Sequence, residues 1–374
     1  MATAKLGSKV AFVVAACVWL AFVSTSRAVF FDNDGPQHLF QAYAYAHSDD
    51  AAFASFVAPN IPVSDHGVVE LFGALEPALG WELAFRAVCG LIAFAWTAAV
   101  FAFLRRVTSS SVIASLAFFL APSHSFLLGM LPFCLGSALG IAAAALLFRR
   151  RSMVSCVVAS LLLFVGAACH TFAAALAGAF VAIAVCVDEE RSWRARIITT
   201  LLVGAPAGAL AIASLRLHNT LAPSSSSAPA SASIATTLFD LADGFQPGGF
   251  VRPACFLALL VVTIAVVVVA RRSLSRAQRA LAVVAVVCFG TELVVGRDIG
   301  SWQLGGLRFL AFGAIALLAA VPWPALDKRV RAGVVAVAAA YAIVTSVWAI
   351  AWTRAVVHRF GELVDVAHDV PRAP

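Results

Sequence analysis

The sequence predicts an all-α protein, a bundle of transmembrane helices, and three observations support this fold class. Of the 374 residues, 62% are hydrophobic and only 12% are charged, a balance far from that of a soluble domain. The apolar residues come in long blocks, and most blocks approach the roughly 20 residues that a helix needs to cross a bilayer. Short basic clusters separate the blocks, as cytoplasmic anchors do.

The apolar blocks define about eleven candidate spans in a single membrane domain over residues 1–374. Two long segments lie between spans: 32–83, and 216–252, which contains a flexible stretch rich in Ser, Ala and Pro. The predicted spans are approximately 9–31, 84–104, 107–123, 126–148, 152–168, 171–187, 197–215, 253–270, 280–296, 307–326 and 332–353.

The basic clusters predict a cytoplasmic N-terminus, because the opposite orientation would translocate all of them. The C-terminus and both long loops then lie on the outer side. The clusters are Lys5 and Lys9; Arg105 and Arg106; Arg149 to Arg151; Arg191, Arg194 and Arg196; Arg271, Arg272, Arg276 and Arg279; and Lys328, Arg329 and Arg331.

The first apolar block has two interpretations. Residues 10–23 resemble a signal-peptide core, and Ser26-Arg27-Ala28 would be a small-x-small cleavage site. The apolar run continues through Val29, Phe30 and Phe31, which favours an uncleaved first helix. Both interpretations leave the later spans unchanged.

Other classes of function fit the sequence poorly. The net charge of +7 would suit a nucleic-acid-binding protein, but the basic residues sit beside apolar blocks and form no long basic face. The eight cysteines include no CxxC pair, so neither a zinc site nor a disulfide framework is indicated. We therefore expect the lipid bilayer as a partner and no nucleic acid.

The first long loop, 32–83, begins with an acidic motif where the first predicted span ends. The motif reads Asp32-Asn33-Asp34-Gly35-Pro36-Gln37-His38, and no Lys or Arg occurs from Asp32 to Glu82. Such an acidic surface suits a divalent cation or the proton of an acceptor hydroxyl. Asp34 and His38 are four residues apart and share a helix face. Asp32, Asp34 and His38 are therefore candidate metal ligands.

Asp34 also has a purely structural explanation. Asp34 and Gln37 form a capping-box pattern, with Pro36 in the first turn of a helix that should run to about Ala46. This helix would be amphipathic and lie at the membrane surface. Asp34 would then satisfy unpaired backbone N–H groups, a role that is compatible with catalysis.

Four short stretches resemble the GT-C class of membrane glycosyltransferases, and in particular bacterial members that are mostly uncharacterised. The stretches are 34–39, 127–133, 169–172 and 305–309, and the overall pattern extends from Val10 to Trp352. The resemblance implies an enzyme that transfers a sugar from a polyprenyl-phosphate donor to an acceptor. This reaction would take place at the outer face of a membrane, by resemblance the bacterial inner (plasma) membrane.

The resemblance also implies roles for individual residues. An acidic residue at the outer end of the first helix is the usual base in such enzymes, and by position that role falls on Asp34 or on Asp32. Arg308 would bind the donor phosphate through two parallel hydrogen bonds, and His38 and His170 would contact the same substrate. The structural alternatives are an interface anchor for Arg308 and a turn cap for His170.

Members of the family carry a second acidic motif, and this chain has no clear match to it. Glu70, Glu76 and Glu82 are the candidates for that role. The alternative function is a transporter or a non-catalytic membrane component, since the apolar bundle alone would suffice for either. Transporters commonly carry charged groups near mid-membrane, whereas the acidic residues here collect near the outer surface. This distribution favours the enzyme.

Overall fold

The computed structural model describes residues 35–54, 66–120, 129–149, 152–187, 192–221, 251–295 and 305–337, with a few single residues beyond 337. Within these ranges the regular structure is helical and contains no β-strand, which confirms the predicted all-α class. The predicted span 9–31, most of 332–353, and residues 222–250 of the second loop lie outside the described residues.

The first long loop is largely helical where it is described. It contains α1 (Gly35–Ala46), the short α2 (Ala51–Ala54) and α3 (His66–Leu79). Helix α1 begins and ends where the capping-box pattern predicted. Helix α3 was not predicted; Val68 and Phe72, four residues apart on it, are fully buried, so one face of α3 packs on the bundle.

Among the described residues, five helices form the main bundle: α4 (Trp81–Thr108), α7 (Leu131–Arg149), α8 (Met153–Cys169), α9 (Thr171–Cys186) and α10 (Trp193–Leu221). Helix α7 packs against α4, α8 and α9, and its apolar side chains are buried on nearly all sides, as in a central helix. Within the described part of the chain, α4, α7 and α10 are long and apolar enough to cross a bilayer. The protein is therefore an integral membrane protein.

A second group of helices packs on this bundle: α11 (Val251–Val269), α12 (Arg276–Val295) and α13 (Gly305–Ala319). Helix α13 packs against α12 and also against α4, α9 and α11. Phe312 of α13 stacks on Phe180 at a centroid distance of 5.6 Å and meets Trp96 at 6.5 Å. These aromatic contacts join the two groups of helices.

Helices α7, α8 and α9 approach closely because glycines lie at their contacts. A Cβ atom on Gly140 would collide with the Cβ of Ala177, and one on Gly136 would lie 2.8 Å from the carbonyl oxygen of Gly166. Gly136 and Gly140 have the four-residue spacing that lets helices pack at short distance in membranes.

The predicted span 107–123 is not one continuous helix over its described residues, which corrects the sequence-based boundary. Helix α4 continues to Thr108, Ser109 adopts a left-handed φ of 55°, and two short helices follow, α5 (Ser111–Ser115) and α6 (Ala117–Leu120). The hydroxyl of Ser110 accepts a hydrogen bond from the N–H of Ile113 at 3.2 Å. Consecutive serines favour caps over helix interiors, and this preference outweighs the apolar pattern.

Among the described residues, the basic clusters near the starts of α10 and α12 and the turn between α8 and α9 lie at opposite ends of the bundle. This turn consists of His170. At the other end, Arg196 near the start of α10 donates to the carbonyl of Cys186 at 3.1 Å. Gln278 near the start of α12 donates to the carbonyl of Val321 at 2.9 Å, just beyond α13. The end that contains His170 is therefore separated from the described basic clusters at the starts of α10 and α12.

Candidate functional site

Three predicted substrate-binding residues, His38, His170 and Arg308, come together at one end of the bundle. Nη1 of Arg308 lies 3.1 Å from Nε2 of His170, although 138 residues separate them in the sequence. His38, on α1, is close enough for its charge to lower the pKa of His170. Their proximity is a finding, whereas their binding of a substrate stays a prediction.

His170 is the single residue between α8 and α9, and it caps α9. Its Nδ1 accepts a hydrogen bond from the backbone N–H of Ala173 at 3.3 Å. The backbone N–H of His170 donates to the carbonyl of Gly166 at 2.9 Å. The predicted turn-cap role of His170 is thereby confirmed. The cap uses only one ring nitrogen, so Nε2 still faces Arg308.

Arg308 lies in the first turn of α13, where an aromatic ring holds its guanidinium group. Its Cζ is 5.4 Å from the centroid of the Phe133 ring, a distance typical of a cation–π contact. The same ring meets the imidazole of His170 edge-on at 5.4 Å. Phe133 is buried and Arg308 is half-buried, so the guanidinium lies against the bundle at this ring.

Phe133 was not singled out as a site residue by the sequence reasoning. Phe133 is the last residue of the stretch 127–133, which is one of the four stretches that carry the family resemblance. Its place in that stretch is the signal that could have identified it as a site residue. Phe172 and Phe309 lie beside the site, with their rings edge-on at 5.3 Å. The contact of Arg308 with Phe133 holds α13 against α7. The contact between Phe172 and Phe309 holds α13 against α9 at the same level.

Helices α1 and α3 pack over the end of the bundle that carries this site. Helix α3 approaches at Gly67, where a Cβ atom would collide with the Cys169 side chain directly before the turn. Helix α1 packs on α3, and the rings of Tyr45 and His66 lie edge-on at 5.9 Å. This layer brings His38 to the site.

The three candidates for a second acidic motif have different surroundings. Oε1 of Glu76 lies 3.5 Å from Nε2 of His47, which links α3 to the end of α1. Glu82 forms an ion pair with Arg86, one turn further along α4. Glu70 is exposed on α3. Glu76 therefore links α3 to the end of α1, whereas the ion pair of Glu82 lies within α4.

The predicted base and metal ligands Asp32 and Asp34 lie outside the described residues, directly before α1. His38, the third predicted ligand, is half-buried in the first turn of α1. Among the residues that the structure describes, no three His, Cys, Asp or Glu side chains form a group that could hold a metal ion. A divalent cation stays a prediction that depends on Asp32 and Asp34.

The electrostatic surroundings favour a neutral His170 beside a charged Arg308. Burial lowers the pKa of His170 to about 3, and the positive charges of Arg308 and His38 act in the same direction. The imidazole is therefore neutral at physiological pH, whereas a guanidinium stays protonated in proteins. The guanidinium charge of Arg308 and the N–H donors around it suit an anion.

Comparison with models of known protein families, with curated proteins and with solved structures finds no match. The resemblance to GT-C enzymes therefore depends on the four sequence stretches quoted above. The geometry around Arg308 provides a separate argument about function.

Proposed function

We propose that this protein is a GT-C-like glycosyltransferase that takes a sugar from a polyprenyl-phosphate donor at the outer face of a bacterial inner membrane. The observation that carries the proposal is the 3.1 Å contact between Arg308 and His170, with His38 close by. Guanidinium and imidazole N–H groups at one end of an apolar bundle suit the phosphate group of a membrane lipid.

The proposed reaction is displacement at the anomeric carbon of the donor sugar. Asp34, which directly precedes α1, removes the proton of the acceptor hydroxyl. The hydroxyl oxygen forms a bond to the anomeric carbon as the bond from that carbon to the phosphate oxygen breaks. The electron pair stays on the departing polyprenyl phosphate, whose charge Arg308 stabilises.

A buried carboxyl group favours a second candidate function, ion-coupled transport. Glu292 on α12 is only 1% exposed, and acidic side chains inside membrane helices often mark ion pathways. A carrier for a small ion has no need of a lipid phosphate at Arg308. Binding of such a lipid therefore separates the two candidates.

The purified protein should bind a short-chain polyprenyl phosphate far more tightly than the corresponding polyprenol, because Arg308 and His170 contact only the phosphate. Binding can be measured in detergent by native mass spectrometry or thermophoresis. Arg105→Ala is a suitable control, since Arg105 is exposed at the opposite end of α4, and it should not change the affinity. Equal affinity for the phosphate and the alcohol would contradict the proposal.

The proposal includes about eleven spans and a cytoplasmic N-terminus, and thiol labelling tests the orientation. Ser192→Cys and Ser273→Cys place thiols at exposed positions on the predicted cytoplasmic side. They should react with an impermeant reagent only after cells are permeabilised. Ser226→Cys, in the predicted outer loop, should react in intact cells.

The labelling experiment needs two precautions that the structure makes clear. The exposed Cys186 must first be replaced. Ser110 is a poor probe because it is buried as the cap of α5, so a thiol there would be protected in either orientation. Reaction at both Ser192→Cys and Ser273→Cys in intact cells would reverse the proposed topology.

A further inference from the structure

Glu292 is a buried carboxyl group on the side of α12 that faces α13. The buried residues Leu281, Ala285 and Cys288 recur on α12 every three or four positions, so they lie on one face of the helix. Glu292 is also buried and continues the same spacing. A Cβ atom on Gly313 of α13 would lie 3.1 Å from the Cβ of Cys288. This face of α12, including Glu292, therefore packs against α13.

The register between the two helices places Glu292 at the level of Arg308. Helix α12 runs antiparallel to α13, because the start of α12 contacts the segment just beyond the end of α13, whereas Cys288 lies beside Gly313. One turn from Cys288 along α12 leads to Glu292, and one turn from Gly313 back along α13 leads to the residue next to Arg308. Packed helices have axes about 8–10 Å apart, so a carboxylate and a guanidinium at one level interact through their charges.

Few other charged groups are available to Glu292. Helix α12 packs against α13 and also against α9. Among the described side chains, the charged or titratable groups at this end of the three helices are Cys288, Glu292, Arg308 and His170. Burial keeps His170 neutral at physiological pH, and an ordinary thiol is neutral there as well. Among these groups, Arg308 alone carries a positive charge that can balance a carboxylate at Glu292.

We infer that the binding of an anionic lipid at Arg308 is coupled to the uptake of one proton by Glu292. The inference rests on the phosphate site of the proposed function and adds a proton-binding residue to it. In the empty site, the guanidinium balances the carboxylate. A bound phosphate group leaves two anions to share one cation, and a buried carboxylate without a balancing charge takes up a proton from solvent to become a neutral carboxylic acid.

This coupling acts through charge, so it does not require a free N–H group on Arg308. The contacts of the guanidinium with His170 at 3.1 Å and with the Phe133 ring persist in both states. Glu292 is a positioning residue in this scheme, because it acts on the ligand through the charge of Arg308. Its protonation state determines how strongly the site attracts an anion.

The affinity for farnesyl methyl phosphate should therefore rise as the pH falls. This diester has no second ionisable oxygen, so its single negative charge stays the same throughout the measurement. Uptake of one proton changes an affinity by at most tenfold per pH unit, so we expect about 10- to 100-fold tighter binding at about pH 6 than at about pH 8. An affinity of the wild-type protein that does not change with pH would overturn the inference.

Titration calorimetry on the wild-type protein measures the proton directly and needs no substitution. The heat of binding at about pH 7 should differ between two buffers of different ionisation enthalpy, with the sign that corresponds to proton uptake. Release of protons, or no exchange, would contradict the coupling. This measurement keeps the inference testable even if a variant of Glu292 fails to fold.

Glu292→Gln should bind the diester about 10- to 100-fold more tightly than the wild type at about pH 8, because no carboxylate then competes for Arg308. Its affinity should hardly change with pH. A gain of affinity is a result that simple structural damage does not produce. Glu292→Asp, which retains a carboxyl group, should keep the dependence on pH. Asp49→Asn removes an exposed carboxyl group after α1 and should behave as the wild type.

His38 requires its own control, because its charge also acts on this site and histidines titrate near neutral pH. In His38→Gln the affinity for the diester should still rise on acidification. Loss of the pH dependence in His38→Gln, with its persistence in Glu292→Gln, would assign the proton to the histidine and overturn the inference.

Failure of this inference and failure of the proposed function give different results. If the diester binds equally well at all pH values, the proton coupling is wrong and the phosphate site stands. If the diester binds with proton uptake but no sugar is transferred, the coupling is confirmed and the transferase is wrong. If the diester does not bind to the wild type at any pH, the phosphate site is refuted and the coupling with it.

Discussion

Arg308→Lys is expected to weaken the binding of polyprenyl phosphate by about 10- to 100-fold, because lysine replaces a planar fork of donors with a point charge. This range corresponds to about 1.5–3 kcal/mol, the usual contribution of a hydrogen bond to a charged group. Arg308 contacts His170 at 3.1 Å and packs over Phe133, a geometry that an ammonium group does not reproduce. Binding to purified protein measures the effect directly.

A matched control for this experiment exists at the same end of the bundle. Arg216 is exposed on α10, two residues beyond Ser214, whose hydroxyl accepts a hydrogen bond from Thr171 beside the turn. Arg216→Lys should leave the affinity unchanged. If Arg308→Lys also has no effect, Arg308 serves as an anchor that tolerates either cation, and the glycosyltransferase proposal loses its main support.

Asp34→Asn is expected to reduce sugar transfer by about 10²- to 10⁴-fold, the usual contribution of a general base. Asparagine is itself a good cap residue, so helix α1, which begins at Gly35, should still form. The comparison with Asp34→Ala separates the two roles of Asp34. Loss of a cap with alanine costs about 1 kcal/mol of stability, whereas loss of the base stops the reaction.

Transfer from a polyprenyl-phosphate-linked sugar and thermal unfolding in detergent should be measured on the same preparations. Asp32→Asn is the matched comparison, because Asp32 is the second candidate base. Full transfer activity in Asp34→Asn would leave Asp34 with the cap role alone. Loss of transfer in Asp32→Asn only would move the catalytic role to Asp32.

Local sequence patterns correctly predicted the features that depend on neighbouring residues alone. The boundaries of α1 followed from a capping pattern and its first-turn proline, and the cap formed by His170 followed from its place between two apolar blocks. The same rules missed α3, whose segment contains Gly67, Gly73 and Pro77 and has little helical preference. Burial of Val68 and Phe72 against neighbouring helices stabilises α3 despite that composition.

The sequence by itself determined that the protein is helical and lies in a membrane, because long apolar blocks in lipid must satisfy their backbone hydrogen bonds internally. It also identified Arg308 and His170 as candidate substrate-binding residues. Only the tertiary structure decided that the two meet. Their contact depends on how α13 packs against α9, through the ring pairs Phe172–Phe309 and Phe180–Phe312. Such packing between distant segments depends on side-chain shape in three dimensions, which no local pattern encodes.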